Sequence, residues 1–139
     1  MIIFGTCLLL SFSACDNNLP DEEEEYESTY YWGKVVSGWP PAAILAEHGI
    51  SGMPRPVGAT EISWYEEAFT SYTGIVIRFV PGSGTGESIQ NWFINQDWID
   101  LYYSNTVAHG IFLKFEYKFT YDIRGITGSI SGGRQAIHL

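Results

Sequence analysis

The chain has 139 residues, with 16 acidic and 7 basic side chains and a formal net charge of −9. That length fits one domain, and without a basic stripe to neutralise phosphates the sequence argues against nucleic acid as a main partner. No apolar run reaches the ~20 residues of a membrane-spanning helix. Aromatic residues at 16% and 15 glycines argue against a disordered body.

Charge divides the chain into three pieces. Residues 1–14 carry none, residues 16–27 hold seven acids and no base, and residues 28–139 hold nine acids and all seven bases. The first piece, MIIFGTCLLLSFSA, is too short at 1.5 Å per residue to cross a ~30 Å hydrocarbon core. It suits a secretory apolar region followed by small residues. Its end, Phe12-Ser13-Ala14-Cys15, resembles a bacterial lipobox. That resemblance implies that Cys15 is lipidated on sulfur and becomes the mature N-terminus, with each buried CH₂ of the acyl chains adding ~0.8 kcal/mol of anchoring. No Lys or Arg precedes the apolar run, so a basic start upstream of Met1 is expected. The alternative pairs Cys7 with Cys15 as a disulfide or leaves both as buried thiols. Removal of the signal also removes Cys7, and the domain then relies on its core alone.

Residues 15–29 read as the lipidated cysteine and an extended acidic tether, because like charges at this density repel. The run Asp21-Glu22-Glu23-Glu24-Glu25-Tyr26-Glu27 resembles the acidic export signal of surface lipoproteins in Bacteroidetes-type bacteria. That resemblance implies display on the outer face of the outer membrane. The run lacks the spaced ligands and turn glycine of a calcium loop.

Residues 30–139 read as an all-β domain. Ala59–Tyr65 is an early strand with Ile62 and Trp64 inward, preceded by prolines and a glycine that bracket a short helix over 40–49. That helix is placed at an open barrel end, and 50–58 is a loop. Gly74–Val80 puts Ile75, Ile77 and Phe79 on one face and Arg78 on the other. Gly82-Ser83-Gly84-Thr85-Gly86 is taken as a mobile hairpin turn, since it lacks the Lys-Ser/Thr ending of a phosphate loop and a strand is expected after it. Ile89–Asn95 and Trp98–Tyr103 follow as short strands joined by a reversal at Asn95-Gln96-Asp97. Ile111–Asp122 alternates over twelve residues, with Phe112 the one exception, and reads as a single long strand. Ile123–Ile130 is a weaker strand broken by glycine, and Arg134–Leu139 a last one. Short strands spaced by turns point to a small antiparallel up-and-down barrel or sandwich with one short helix.

The order of Gly74–Val80, Pro81-Gly82-Ser83-Gly84-Thr85-Gly86, Trp92-Phe93-Ile94, Trp98-Ile99-Asp100-Leu101-Tyr102-Tyr103, the long Tyr/Phe strand and Gly125–Ile130 resembles the lipocalin-like lipoproteins of Bacteroidetes-type bacteria. The match covers about 60 residues, departs from the family in its helix over 40–49, and lacks an aspartate before the glycine-rich turn. It implies a small barrel and says little about ligand.

Catalytic signals are thin. His48, His109 and His138 are spread along the chain without metal-ligand spacing, no nucleophile elbow is present, and Glu66-Glu67 point to opposite faces of a strand. Asp97 and Asp100 flank Trp98 and are read as turn acids rather than a glycosidase pair. No catalytic residue, metal or cofactor is assigned, and a non-enzymatic role is expected. If Ile99, Leu101 and Tyr103 face inward, then Trp98, Asp100 and Tyr102 form an outer row suited to stacking on a sugar. The expected role is a surface-displayed binding or accessory domain, anchored to the membrane through Cys15. A carbohydrate-binding accessory of a glycan-uptake system and an inhibitor or immunity-type protein module are the alternatives. Glycan, small apolar ligand and protein remain open as partners.

Overall fold

A computed structural model describes residues 31–69, 72–102 and 107–135. The expected signal, Cys15, the acidic tether and most of the expected strand Arg134–Leu139 lie outside the described residues. Strands β1 (Tyr31–Trp32) and β2 (Val36–Ser37) precede helix α1 (Ala42–Glu47). Strands β3 (Thr60–Phe69) and β4 (Tyr72–Val80) lead into helix α2 (Thr85–Asn95). The chain then forms β5 (Ile99–Asp100), β6 (His109–Lys114), β7 (Tyr117–Arg124) and β8 (Thr127–Gln135). One eight-stranded sheet results, in the order β1-β3-β4-β8-β7-β6-β5, with β2 also paired to β3. The ladders from β2–β3 through β5–β6 are antiparallel. The domain is all-β in class, as expected, with two helices rather than one.

Alternation along each strand separates two faces. Across the sheet, Trp64 lies opposite Ile77, Ile77 opposite Ile130, Ile130 opposite Tyr121, and Tyr121 opposite Gly110. A parallel row links Ile75, Gly132, Phe119 and Phe112. These residues are buried, and they pack with Leu45 of α1 and with Ile89 and Phe93 of α2. Phe93 is the hub. It stacks on Phe112 with ring centroids 4.6 Å apart and meets Trp98 edge-on at 5.1 Å. Full burial of such side chains is worth about 1.5–3 kcal/mol each, which suits a core without a described disulfide.

Three expectations need correction. Residues 111–122 form two strands, because the chain reverses at Phe115-Glu116 with Lys114 opposite Tyr117. A two-residue turn exchanges odd for even positions on the inner face. Phe112 therefore faces the core with Phe119 and Tyr121, while Phe115 is 84% exposed at a φ of 56°. The next reversal, Gly125-Ile126 between Arg124 and Thr127, likewise splits Ile123–Ile130 between β7 and β8. Ile89–Asn95 is helical: Ile89, Trp92 and Phe93 recur at i, i+3 and i+4, the spacing of one helix face.

Both helices end in the same way. After α1, Gly49 at φ 87° donates to the Ala46 carbonyl and Ile50 to the Leu45 carbonyl. After α2, Asp97 at φ 66° donates to Ile94 and Trp98 to Phe93. This is the Schellman arrangement, with its apolar contact between the residue after the turn and the last helical turn. It draws Trp98 into the core.

Candidate functional site

Helices α1 and α2 contribute to the core on one face of the sheet. The opposite face is built from the alternate residues of the same strands, so its chemistry follows from register. Ser63 lies opposite Arg78, Arg78 opposite Ser129, Ser129 opposite Asp122, and Asp122 opposite His109. Five strands thus lay a polar row across the open face. At its β7–β8 end a groove of about 500 Å³ is lined by Glu61, Arg78, Asp122, Arg124, Ile126 and Ser129, among others.

The bulge in β3 shapes one wall. Register shifts between Thr60 and Ser63, and Glu61 takes a φ of 51°. A non-glycine residue there costs on the order of 1 kcal/mol or more, and bulges commonly re-aim a side chain. Beside the groove, Tyr65 is 8% exposed, with its ring 5.9 Å from that of Trp32 and 5.7 Å from the Arg78 guanidinium. Arg78 also donates to the Tyr65 hydroxyl at 3.5 Å. No carboxylate pairs with Arg78 among the described residues. Arg124 differs, since its Nε donates to Asp122 at 2.9 Å. Asp122 in turn lies 3.4 Å from His109 Nδ1, and Tyr102 meets the His109 ring edge-on at 4.6 Å.

Ser129, Asp122 and His109 invite comparison with a hydrolase triad. The order is wrong for one. A triad needs the imidazole between hydroxyl and carboxylate, whereas here Asp122 occupies the middle strand. With neighbouring strands about 4.8 Å apart, the His109 and Ser129 backbones stand about 10 Å apart. The row presents charged and hydrogen-bonding groups, and it pairs no nucleophile with a base.

The expected outer row of Trp98, Asp100 and Tyr102 does not form. Trp98 is 6% exposed and packs against Phe93 and Phe119, while Ile99, Leu101 and Tyr102 are exposed. The helix-ending turn at Asp97 sets the strand one step out of the anticipated phase. Asp100 accepts the Tyr102 backbone N–H at 3.0 Å, which fixes the turn after β5. Tyr102 alone keeps an exposed ring, and it adjoins the groove's polar row through His109.

The glycine-rich segment 82–86 is also corrected. It opens α2 rather than a hairpin, with Gly84 at φ 81° as the helix cap. It is pinned rather than mobile. Gly82 donates to Thr85 Oγ1, Thr85 Oγ1 donates to the Val57 carbonyl, and Val57 donates to Ser88 Oγ. The segment still lacks the Lys-Ser/Thr ending of a phosphate loop.

A second polar cluster lies where α1 meets β3. Ligand-capable atoms of Glu47, His48 and Glu66 fall within 4.8 Å of one another. His48 is buried, with Nε2 2.6 Å from Glu66 Oε2. Neither this cluster nor the groove was anticipated from sequence. Their members come together only through strand pairing and the turn after α1, and no spacing along the chain announces them. Comparison of the chain with protein-family models found no match, and neither did comparison with curated proteins or with solved structures.

Proposed function

We propose that this chain is a non-catalytic binding module, lipid-anchored at Cys15 and displayed on a tether at the outer-membrane surface, which holds an acidic saccharide in the groove around Arg78. The observation that carries the binding role is a guanidinium without a carboxylate partner among the described residues, held over Tyr65 at the wall of a groove of about 500 Å³. An incoming carboxylate meets Arg78 as a charge-assisted, two-point acceptor. Glu61, Asp122 and Ser129 offer acceptors and a hydroxyl for sugar OH groups, and Arg124 is already oriented by Asp122. With the core-bound Trp98 unable to stack on a ring, charge rather than an aromatic platform supplies the specificity.

Titration of the purified chain with digalacturonate, against a neutral disaccharide, tests the groove. Preferential uptake of the uronate, weakened about tenfold or more in Arg78→Ala, is expected from loss of a charged hydrogen bond. Equal or absent uptake contradicts it. The anchor is tested separately by intact mass of the protein recovered from bacterial membranes, with protease shaving of whole cells. An acylated N-terminal Cys15 on a shaved domain supports surface display, and an unmodified chain retaining residues 1–14 contradicts it.

One observation favours the protein-interaction reading. Trp32, Val35, Val36 and Phe69 are exposed near the β1–β2 edge. If that edge is the functional surface, Trp32→Ala abolishes partner capture and leaves uronate uptake intact.

A further inference from the structure

The cluster at the end of α1 carries more negative charge than its own imidazole balances. Glu47 is the last residue of the helix and exposed, His48 is the buried cap residue, and Glu66 faces them from the core side of β3. Consecutive residues inside a helix point apart. His48 has left helical geometry, at φ −99° and ψ 11°, and so turns toward the same space as Glu47. Two carboxylates and one imidazole leave an excess negative charge even when the ring is protonated. A divalent cation with a neutral imidazole leaves none.

We infer that Glu47, His48 and Glu66 form a binding site for one divalent transition cation, of which zinc is the type. The geometry needs small adjustments. Zinc holds nitrogen and oxygen donors at about 2.0–2.1 Å, so adjacent donors in a tetrahedron stand about 3.3 Å apart. The 2.6 Å separation between His48 and Glu66 therefore opens by about 0.7 Å. Glu47, exposed and on the helix end, closes from within the 4.8 Å span by rotation about its own side-chain bonds. Three protein ligands leave a fourth position for water or a donor group of another molecule.

The ligand set selects the class of ion. Calcium takes six to eight oxygens and magnesium keeps most of its water, while an imidazole beside carboxylates suits the borderline transition metals. The imidazole is also held in advance. Gly49 has a φ of 87°, and the Tyr117 ring packs so closely against it that an added Cβ would stand 2.6 Å from ring carbon. With the turn fixed between α1 and Tyr117, the His48 backbone has little freedom. Metal at this point ties α1 to β3, and binding raises the thermal midpoint by favouring the folded state.

The test strips the full-length chain with chelator and titrates it with Zn²⁺ alone, reading stoichiometry by calorimetry and the melting midpoint alongside. Substitution of Co²⁺ adds a visible spectrum that reports tetrahedral nitrogen and oxygen ligation. Expected are one ion per chain, a raised midpoint, and affinity lowered about 100-fold or more in Glu66→Gln. Glu47→Gln, a surface change that leaves the fold alone, lowers it at least tenfold. Absence of stoichiometric uptake overturns the proposal. So does uptake unchanged in Glu47→Gln, which would put the ion elsewhere, with the acidic residues 16–27 the first place to look.

Discussion

The two faces of this sheet share strands, registers and backbone, and differ only in which alternate residues they present. On the helix-covered face the cross-strand rows are Trp64-Ile77-Ile130-Tyr121 and Ile75-Gly132-Phe119-Phe112, closed over by Phe93 and Trp98. One residue along each strand, the row becomes Ser63-Arg78-Ser129-Asp122-His109. Burial of rings and branched aliphatic side chains supplies the stability on the first face. The second is relieved of that task and can keep a guanidinium without a carboxylate partner among the described residues and a bulge strained at Glu61. Stability and chemistry are thus divided by the pleat, and substitutions on the two faces have separable consequences.

The largest expected effect lies on the covered face. Phe93→Ala removes the ring that touches Trp92, Trp98, Phe112 and Phe119 and costs about 3–5 kcal/mol, read as a lowered denaturant midpoint. A loss below about 1 kcal/mol would mean that the rings are not one core.

Alkaline titration sharpens the comparison next. Burial, with the Asp100 carboxylate nearby, pushes the Tyr121 hydroxyl up to about 12, from the ordinary value of about 10. Below pH ~10 both folded and unfolded chains keep that proton, and the contribution is fully present. Between pH ~10 and ~12 the unfolded chain releases it first, so stability falls as pH rises. Burial also raises Tyr72, and the Glu67 carboxylate adds to the effect. Tyr121→Phe flattens the dependence. It also removes a buried hydroxyl without a hydrogen-bond partner, so the variant is at least as stable as the parent at neutral pH. A steeper alkaline loss in that variant would contradict the assignment.

The smallest effect concerns the turn that joins β6 to β7. Phe115 holds a left-handed φ of 56° while 84% exposed. Phe115→Gly relieves a strain of about 1–2 kcal/mol and gives part of it back through the unfolded chain's added freedom. The expected net gain is up to about 1 kcal/mol, visible as a slightly higher melting midpoint. A single continuous strand through residues 111–122 would instead lose stability on gaining a glycine.

How much of this was legible in the sequence depends on range. Strand β4 was, because Ile75, Ile77 and Phe79 alternate with an arginine and no turn interrupts them. Helix α1 was too, since Pro40-Pro41 and Gly49 mark its two ends. The β6–β7 hairpin was not. A two-residue turn swaps the inner parity, and with apolar Phe115 at its tip the alternation runs on as though unbroken. Phe112, the exception to the pattern, was the sign of the swap. Helix α2 was hidden by the glycine-rich segment before it, although the spacing of Ile89, Trp92 and Phe93 favours a helix. Trp98 followed from that misreading, because only the helix-ending turn through Asp97 draws it inward. The groove depends on the pairing of Arg78 with Ser129, 51 residues away, and the Glu47-His48-Glu66 cluster on a contact between residues 18 apart. Alternation tells which residues share a face of one strand, but not which strand lies beside it.

The most direct test of the division between faces is a two-dimensional amide NMR titration with digalacturonate. Shifts confined to residues around Arg78, Asp122, Arg124 and Ser129, with α2 unmoved and the response lost in Arg78→Ala, are the predicted result. Shifts centred on α2 and the ring cluster, or no shifts at millimolar uronate, would contradict the assignment of ligand binding to the open face.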